Sequence, residues 1–364
     1  MSREVKLAGL KLASLSGLSA AIRRSSWRKQ RLLILCYHGI SIANEHEWDR
    51  QLFMPPALLR QRFEALRRAG CHVLPLAEAV ERLYAGDLPP KSVVLTFDDG
   101  GYDFLVNVAP MLREFGFPAT AYIATYYSVF NRPVFDPALS YILWSSRGRT
   151  LEMPEVLPAP VRLDTEVSRE IADQIVAYTW KAGLSGADKD ALLADVSRRV
   201  GFDYEAMCAK RLFHLMTADE ARQAAKAGAA IELHTHRHRV FEDKARFQRE
   251  IADNRAHIAP MRDGEARHFC YPGGFNLPAF PEWLREMGVA SATTCKPGLA
   301  TAQDSRFLLP RVIDTCNLTP VEFDSWVSGL AAFVPQRVHT MPGDQLIRTE
   351  HPRPASAAPV TSAP

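Results

Sequence analysis

The sequence predicts an α/β fold, with a parallel sheet covered by helices. Two observations carry that expectation. Short apolar runs alternate along the chain with segments of helical periodicity, and parallel neighbouring strands need such helical crossovers. The chemically unusual residues follow directly on the apolar runs, at the C-terminal ends of the expected strands, where α/β sheets carry their sites. The 364 residues are enough for one large core, with or without a small appendage. Alternation alone does not say whether the sheet closes into a barrel.

The first expected strand covers residues 31–37 (RLLILCY). A helix follows over 57–69, with Leu59, Phe63 and Leu66 on one face and Gly70 as its stop. Residues 71–74 form a second short strand and 76–84 a second helix, ending near Gly86. The clearest strand is 92–97 (SVVLTF), which ends abruptly at Asp98-Asp99-Gly100-Gly101. A helix over 108–115 leads to a strand over 119–124. The alternation then breaks. From about 127 to 216 only two polar helical stretches stand out, 167–181 and 187–200, so a helical insertion is expected over one end of the sheet. Thr217-Ala218-Asp219-Glu220 is a capping box opening a helix that stops at Gly228. Strands over 230–234, 268–271 and 291–294 follow, separated by helices over 247–258 and 282–287. Thr319 caps a last helix, 320–333, with Pro320 at its first position. Residues 341–364, rich in Pro, Ala and Ser toward the end, are expected to form a disordered tail.

Composition excludes some functions. At 47% hydrophobic and 23% charged, with a net charge of +3, the chain lacks the strong basic excess of a nucleic-acid binder. Six cysteines without CxxC spacing indicate neither a disulfide framework nor a cysteine-rich zinc site. Residues 1–30 are a basic amphipathic segment. No acid stands between Glu4 and Glu45, and Leu7, Leu10, Leu15, Leu18 and Ile22 fall on one arc of a helix. Such a segment either rests on an anionic membrane face or packs against the main fold. Lys11 and the serines at 14, 16, 19 and 25 interrupt it, unlike a secretory leader, and no stretch is long enough to span a bilayer. A cytoplasmic location is therefore expected, with peripheral membrane contact through this segment as one reading.

Four motifs carry chemistry. At the first, a turn permitted by Gly100 and Gly101 lets Asp98 and Asp99 lean into one cavity, where two like charges need a cation or a proton. An Asp-Gly turn is also ordinary punctuation. The second, 231–240 (IELHTHRHRV), puts three histidines after a strand. His234 and His238 share a face if the chain coils, and all three do if it stays extended. Two imidazoles and a carboxylate leave a metal position open for water, whereas Arg237 and Arg239 also fit a solvated basic loop. The third, 268–274 (HFCYPGG), ends in a turn whose backbone N–H groups can face an oxyanion, or which is simply a glycine turn. The fourth places His38 at the end of the first strand, as a site residue or as a buried structural histidine.

In this order the motifs TFDDG, HTxxH and YPxG resemble those of the polysaccharide deacetylase family, also called NodB-homology or carbohydrate esterase family 4 enzymes. The resemblance covers roughly residues 31–320 and implies a deformed (β/α) barrel of about seven parallel strands over 31–340. By it, Asp98 is the general base, and Asp99, His234 and His238 hold a divalent metal. Zinc is the default, with cobalt, nickel or manganese as alternatives. Gly273 contributes an oxyanion N–H, with Tyr271 and Pro272 beside it in the substrate groove. The chain departs from the pattern twice. Cys270 stands where the family often has an arginine orienting the catalytic Asp, and Arg311 is the substitute. No Leu-x-x-His strand supplies the acid near the C-terminus, where His339 is a poor rival. Leu35-Cys36-Tyr37-His38 fits a circularly permuted branch related to poly-N-acetylglucosamine deacetylases, making His38 the acid. The implied activity is metal-dependent removal of N-acetyl groups from amino sugars of a bacterial polysaccharide or glycan precursor. An O-acetyl esterase or deformylase on the same fold, and a non-catalytic carbohydrate-binding protein, are the alternatives.

Overall fold

The structure is a computed structural model that describes residues 3–335 and the short strand Leu346–Ile347. The expected tail lies otherwise outside the described residues, as does His339. Eight strands form the main sheet: β1 (Leu33–Tyr37), β2 (His72–Val73), β3 (Ser92–Phe97), β4 (Ala119–Ile123), β5 (Ala229–Leu233), β6 (His268–Cys270), β7 (Ser291–Thr293) and β8 (Val312–Ile313). Every pairing among them is parallel, in the order β7-β6-β5-β4-β3-β1-β8, with β2 also on β3. All residues of β1 and β3 are buried. Both faces of this sheet are covered, which is why its strands read as continuous apolar runs rather than alternating ones.

The sheet curls into a deformed barrel. Its seam is crossed by one segment that the sequence does not flag as a strand. Leu309 bridges to Thr293 of β7, and four residues on, Ile313 lies opposite Cys36 of β1. Arg311 sits between those two contacts, at the seam.

Helices α1 (Arg3–Leu15), α2 (Leu18–Arg24) and α3 (Ser26–Lys29) precede the sheet, and α4 (Pro56–Arg68), α5 (Leu76–Ala85) and α6 (Ala109–Phe115) form its early crossovers. The insertion holds more structure than expected: α7 (Tyr126–Phe130), α8 (Phe135–Ser145), α9 (Thr165–Lys181), α10 (Gly186–Arg199), α11 (Tyr204–Ala209) and a small antiparallel pair, Thr150–Leu151 with Val161–Arg162. It encloses a hydrophobic core of its own around Leu139, Ile142, Ile175, Leu193 and Val196. Helix α8 carries no polar face that a periodicity reading could detect, because it is buried among the others. Next come α12 (Ala218–Lys226), opened by the Thr217–Glu220 capping box, then α13 (Lys244–Ile258) and α14 (Phe280–Glu286). The last helix, α15 (Pro320–Ser328), is shorter than expected. Gly329 at φ 94° ends it, and a 3-10 turn, Leu330–Phe333, follows.

Candidate active site

Register brings the site together. Tyr37 lies opposite Phe97, so His38 and Asp98 leave β1 and β3 at the same level. Ile123 lies opposite Leu233, and Leu233 opposite Phe269, so His234 and Cys270 emerge side by side from β5 and β6. Beyond β3 the chain turns through Asp99 at φ 72° and Gly100 at φ 83°. The left-handed positions are thus Asp99 and Gly100, not the two glycines. A side chain at Gly100 would overlap Ile123, and one at Gly101 would overlap the Asp103 carboxylate. Asp103 in turn accepts the Ile40 N–H at 2.6 Å and so ties this turn to the loop that carries His38. Burial pushes the Asp103 carboxyl up to about 7, with nearby Glu45 and Asp99 adding to the effect.

Asp98 and Arg311 form a buried bidentate pair, with both nitrogen–oxygen distances 2.7 Å. The guanidinium also donates to Thr294 O at 2.9 Å and to Thr96 Oγ1 at 3.1 Å, and it touches Cys270 Sγ at 3.0 Å. The small thiol leaves room for a guanidinium arriving from β8. Burial alone would raise the Asp98 carboxyl, but the charge and hydrogen bonds of Arg311 outweigh it and hold the group well below the usual carboxylate range. His38 Nε2 stands 3.9 Å from Asp98 Oδ2. Cys36 Sγ lies 3.5 Å from the same oxygen.

Asp99, His234 and His238 form a compact triangle. Asp99 Oδ1 is 3.3 Å from His234 Nε2 and 3.1 Å from His238 Nε2, and the two imidazole nitrogens are 3.2 Å apart. Two donors, each about 2.0–2.1 Å from an ion at the tetrahedral angle, would lie about 3.3 Å apart, so these three side chains fit a divalent cation. The far side of His234 agrees. Its Nδ1 meets Cys270 O at 2.8 Å, an acceptor that keeps the proton there and turns the Nε2 lone pair inward.

The histidine loop is neither the helix nor the extended strand that its spacing allows. Thr235 at φ 61° and His238 at φ 55° twist it, so His238 folds back onto His234 while His236 turns away. His236 stacks on His257 and bonds Thr125 Oγ1 at 2.9 Å. Burial lowers its imidazole to about 4. Helix α13 holds this loop. Asn254 accepts His234 N–H at 2.9 Å and donates to Ile123 O and Thr125 Oγ1, and Glu250 accepts Arg237 N–H at 2.8 Å. Asn254, Glu250 and Asp103 escape a motif reading because they lie outside the strand ends.

Gly273, at φ 59°, lies in the turn directly after β6, and Gly274 packs so closely on Cys295 that a side chain there would overlap it. Tyr271 corrects an expectation. It is fully buried, edge-on to Phe269 and stacked on Phe280, with its hydroxyl bonded to Phe307 O at 3.0 Å. It therefore supports the turn from the core and does not line a groove. Pro272 is buried as well.

These features place a donor triad of metal-binding size beside an arginine-paired carboxylate at the strand ends of the barrel. The model of the family described as polysaccharide deacetylase matches residues 85–140 and 195–292, leaving out most of the insertion. Poly-beta-1,6-N-acetyl-D-glucosamine N-deacetylase of Escherichia coli K12 is 26% identical over 319 residues, which are 86% of this chain and 41% of that protein. The chain thus spans about two fifths of the length of this relative. Among solved structures, the Streptococcus pyogenes deacetylase PplD in complex with acetate aligns over 84% of this chain and 99% of its own, with a TM-score of 0.54 at 17% identity. IcaB from Ammonifex degensii aligns over 83% of this chain and 96% of its own, with a TM-score of 0.51 at 18% identity. Both share the fold.

Proposed function

We propose that the chain hydrolyses N-acetyl groups of an N-acetylglucosamine polymer, with Asp98 as base and His38 as acid. The observation that carries this reading is the adjacency of an ionised, arginine-paired carboxylate to a donor triangle of metal-binding size, with a histidine opposite. The curated relative named for poly-beta-1,6-N-acetyl-D-glucosamine supports the choice of substrate.

A divalent cation on Asp99, His234 and His238 would supply Lewis acidity toward the acetyl carbonyl and acidify a bound water. Asp98, kept ionised by Arg311, takes the proton as water oxygen adds to the carbonyl carbon. The Gly273 N–H faces the developing oxyanion. His38 gives a proton to the amine nitrogen as the carbon–nitrogen bond breaks, leaving acetate and a free amino sugar. Here the acid comes from the first strand rather than from near the C-terminus, which fits a permuted arrangement of the family's motifs.

The test is acetate release from N-acetylglucosamine oligomers and from matched acetyl esters, using protein stripped of metal and then reloaded with zinc or cobalt. Metal-restored release from the oligomers is expected. Asp98→Asn should lose about 10²-fold or more of it while retaining the metal. Release from esters alone would replace the amidase reading with an esterase.

A further inference from the structure

The N-terminal helices are apolar on two sides, and the fold covers only one. Leu10 is buried where α1 and α2 pack along α15. Arg3 bonds Asn317 and Glu322 at the start of α15, and Trp27 and Arg28 close on Gly329 at its end. Arg28, fully buried, fixes α3 to α15 and to the barrel by donating to the carbonyls of Val327 and, at 3.5 Å, Ser92. The segment is thus a fixed part of the molecule. On α1, Val5, Ala8, Leu12 and Leu15 follow one another at helical spacing on the side opposite Leu10, and all four are exposed. Leu12 is 68% exposed, Leu15 86% and, across the bend, Leu18 48%. Of the nine large hydrophobics strongly exposed among the described residues, four lie within these 18 positions. The charges around them have one sign. The first 44 residues hold eight Lys and Arg and a single acid, Glu4, and Lys11, Arg24 and Lys29 are exposed.

We propose that this leucine stripe of α1 is a docking surface for an anionic lipid membrane, which it enters to acyl depth while the basic residues meet the headgroups. A leucine face bordered by cations suits such a surface, because apolar burial and attraction to anionic lipid act together. No single helix among the described residues is long and apolar enough to cross a bilayer; α1 and α2 reach that length and composition only together, across a 71° bend. Their packing on α15 through Leu10, with the Arg28 bond to Val327 O beside it, makes the proposed contact peripheral. The inference does not depend on the reaction.

Co-sedimentation of the full chain with vesicles tests it, using phosphatidylcholine alone or mixed with phosphatidylglycerol. Binding to the mixed vesicles, weakened by salt and absent from phosphatidylcholine alone, is expected. Leu12→Glu with Leu15→Glu should reduce it more than tenfold, with the melting temperature and acetate release from soluble oligomers unchanged. Leu12→Gln with Leu15→Gln, which adds no charge, should also lose binding; retained binding would show that the leucines do not enter the membrane. Two further results overturn the proposal. One is equal or absent binding to both vesicle types. The other is a concentration-dependent dimer that the double variants convert to monomer, which would assign the stripe to a second copy of the chain.

Discussion

Arg311 reaches Asp98 from the opposite side of the seam, and the pair is buried. Breaking such a pair leaves a buried charge without compensation, which costs about 3–5 kcal/mol. Arg311→Met should therefore lower stability by about that amount and lower acetate release by about 10²-fold or more. The pH dependence follows from the sign of the shift. In the wild type the folded Asp98 carboxyl lies below its unfolded value, so its contribution is present above about pH 4 and is lost as pH falls through the folded value. Without Arg311, burial is opposed only by the weaker influence of His234 and His38 and raises the group above its unfolded value. The contribution then persists at low pH and is lost as pH rises through the new folded value. The acid limb of kcat/KM should move to higher pH in Arg311→Met, and melting temperatures across the pH range should show the reversed slope. An unmoved limb would mean that Asp98 is not the base. Arg311 is legible in the sequence only through the family pattern and the cysteine that interrupts it. Its pairing with Asp98 depends on how the sheet closes, which no local pattern encodes.

At the scale of elements, the site is carried by strand ends and held by what packs behind them. The strained backbone at Thr235 and His238 costs of order 1–3 kcal/mol at each position, and it persists only where the surroundings fix it. Asn254 does much of that fixing, because one amide joins the His234 N–H, the end of β4 and Thr125. Asn254→Ala is expected to weaken metal binding by about 10–100-fold, measured by competition with a chromophoric chelator. Raising the metal concentration should restore acetate release. Unchanged affinity would show that the loop holds its shape without this side chain. The insertion acts on the other half of the site in the same way. Its last residues return to the turn after β3, where Met216 N–H donates to Gly100 O and Tyr102 N–H to His214 O. The histidine cluster and the double carboxylate are plain in the sequence because both follow apolar strands. Their supports are not, since Asn254 looks like any polar residue on a helix face and the 213–216 return has no periodicity.

For the whole molecule, the parallel sheet was readable because nearly every strand is a short apolar run with a helix after it. Closure was not. The seam is made by Leu309 and by Val312–Ile313, contacts too short to leave a pattern in the sequence. The proposed cation would belong to this same architecture. Asp99 follows β3 and the two histidines follow β5, with β4 between them, so an ion held by all three spans three neighbouring strands. Without it, Asp99 and the imidazoles face one another with only protons to balance them. A ligand that binds the folded chain alone stabilises it by about 4 kcal/mol when present at about a thousand times its dissociation constant. At about 2–4 °C per kcal/mol for a chain of somewhat smaller size, reloading the stripped protein with zinc should raise its melting temperature by roughly 8 °C or more. His238→Ala should abolish that rise while Asp98→Asn retains it, because His238 belongs to the donor triangle and Asp98 does not. Differential scanning calorimetry of the three proteins, with and without metal, reads this directly. A rise that survives loss of His238 would move the cation elsewhere, and the proposed chemistry with it.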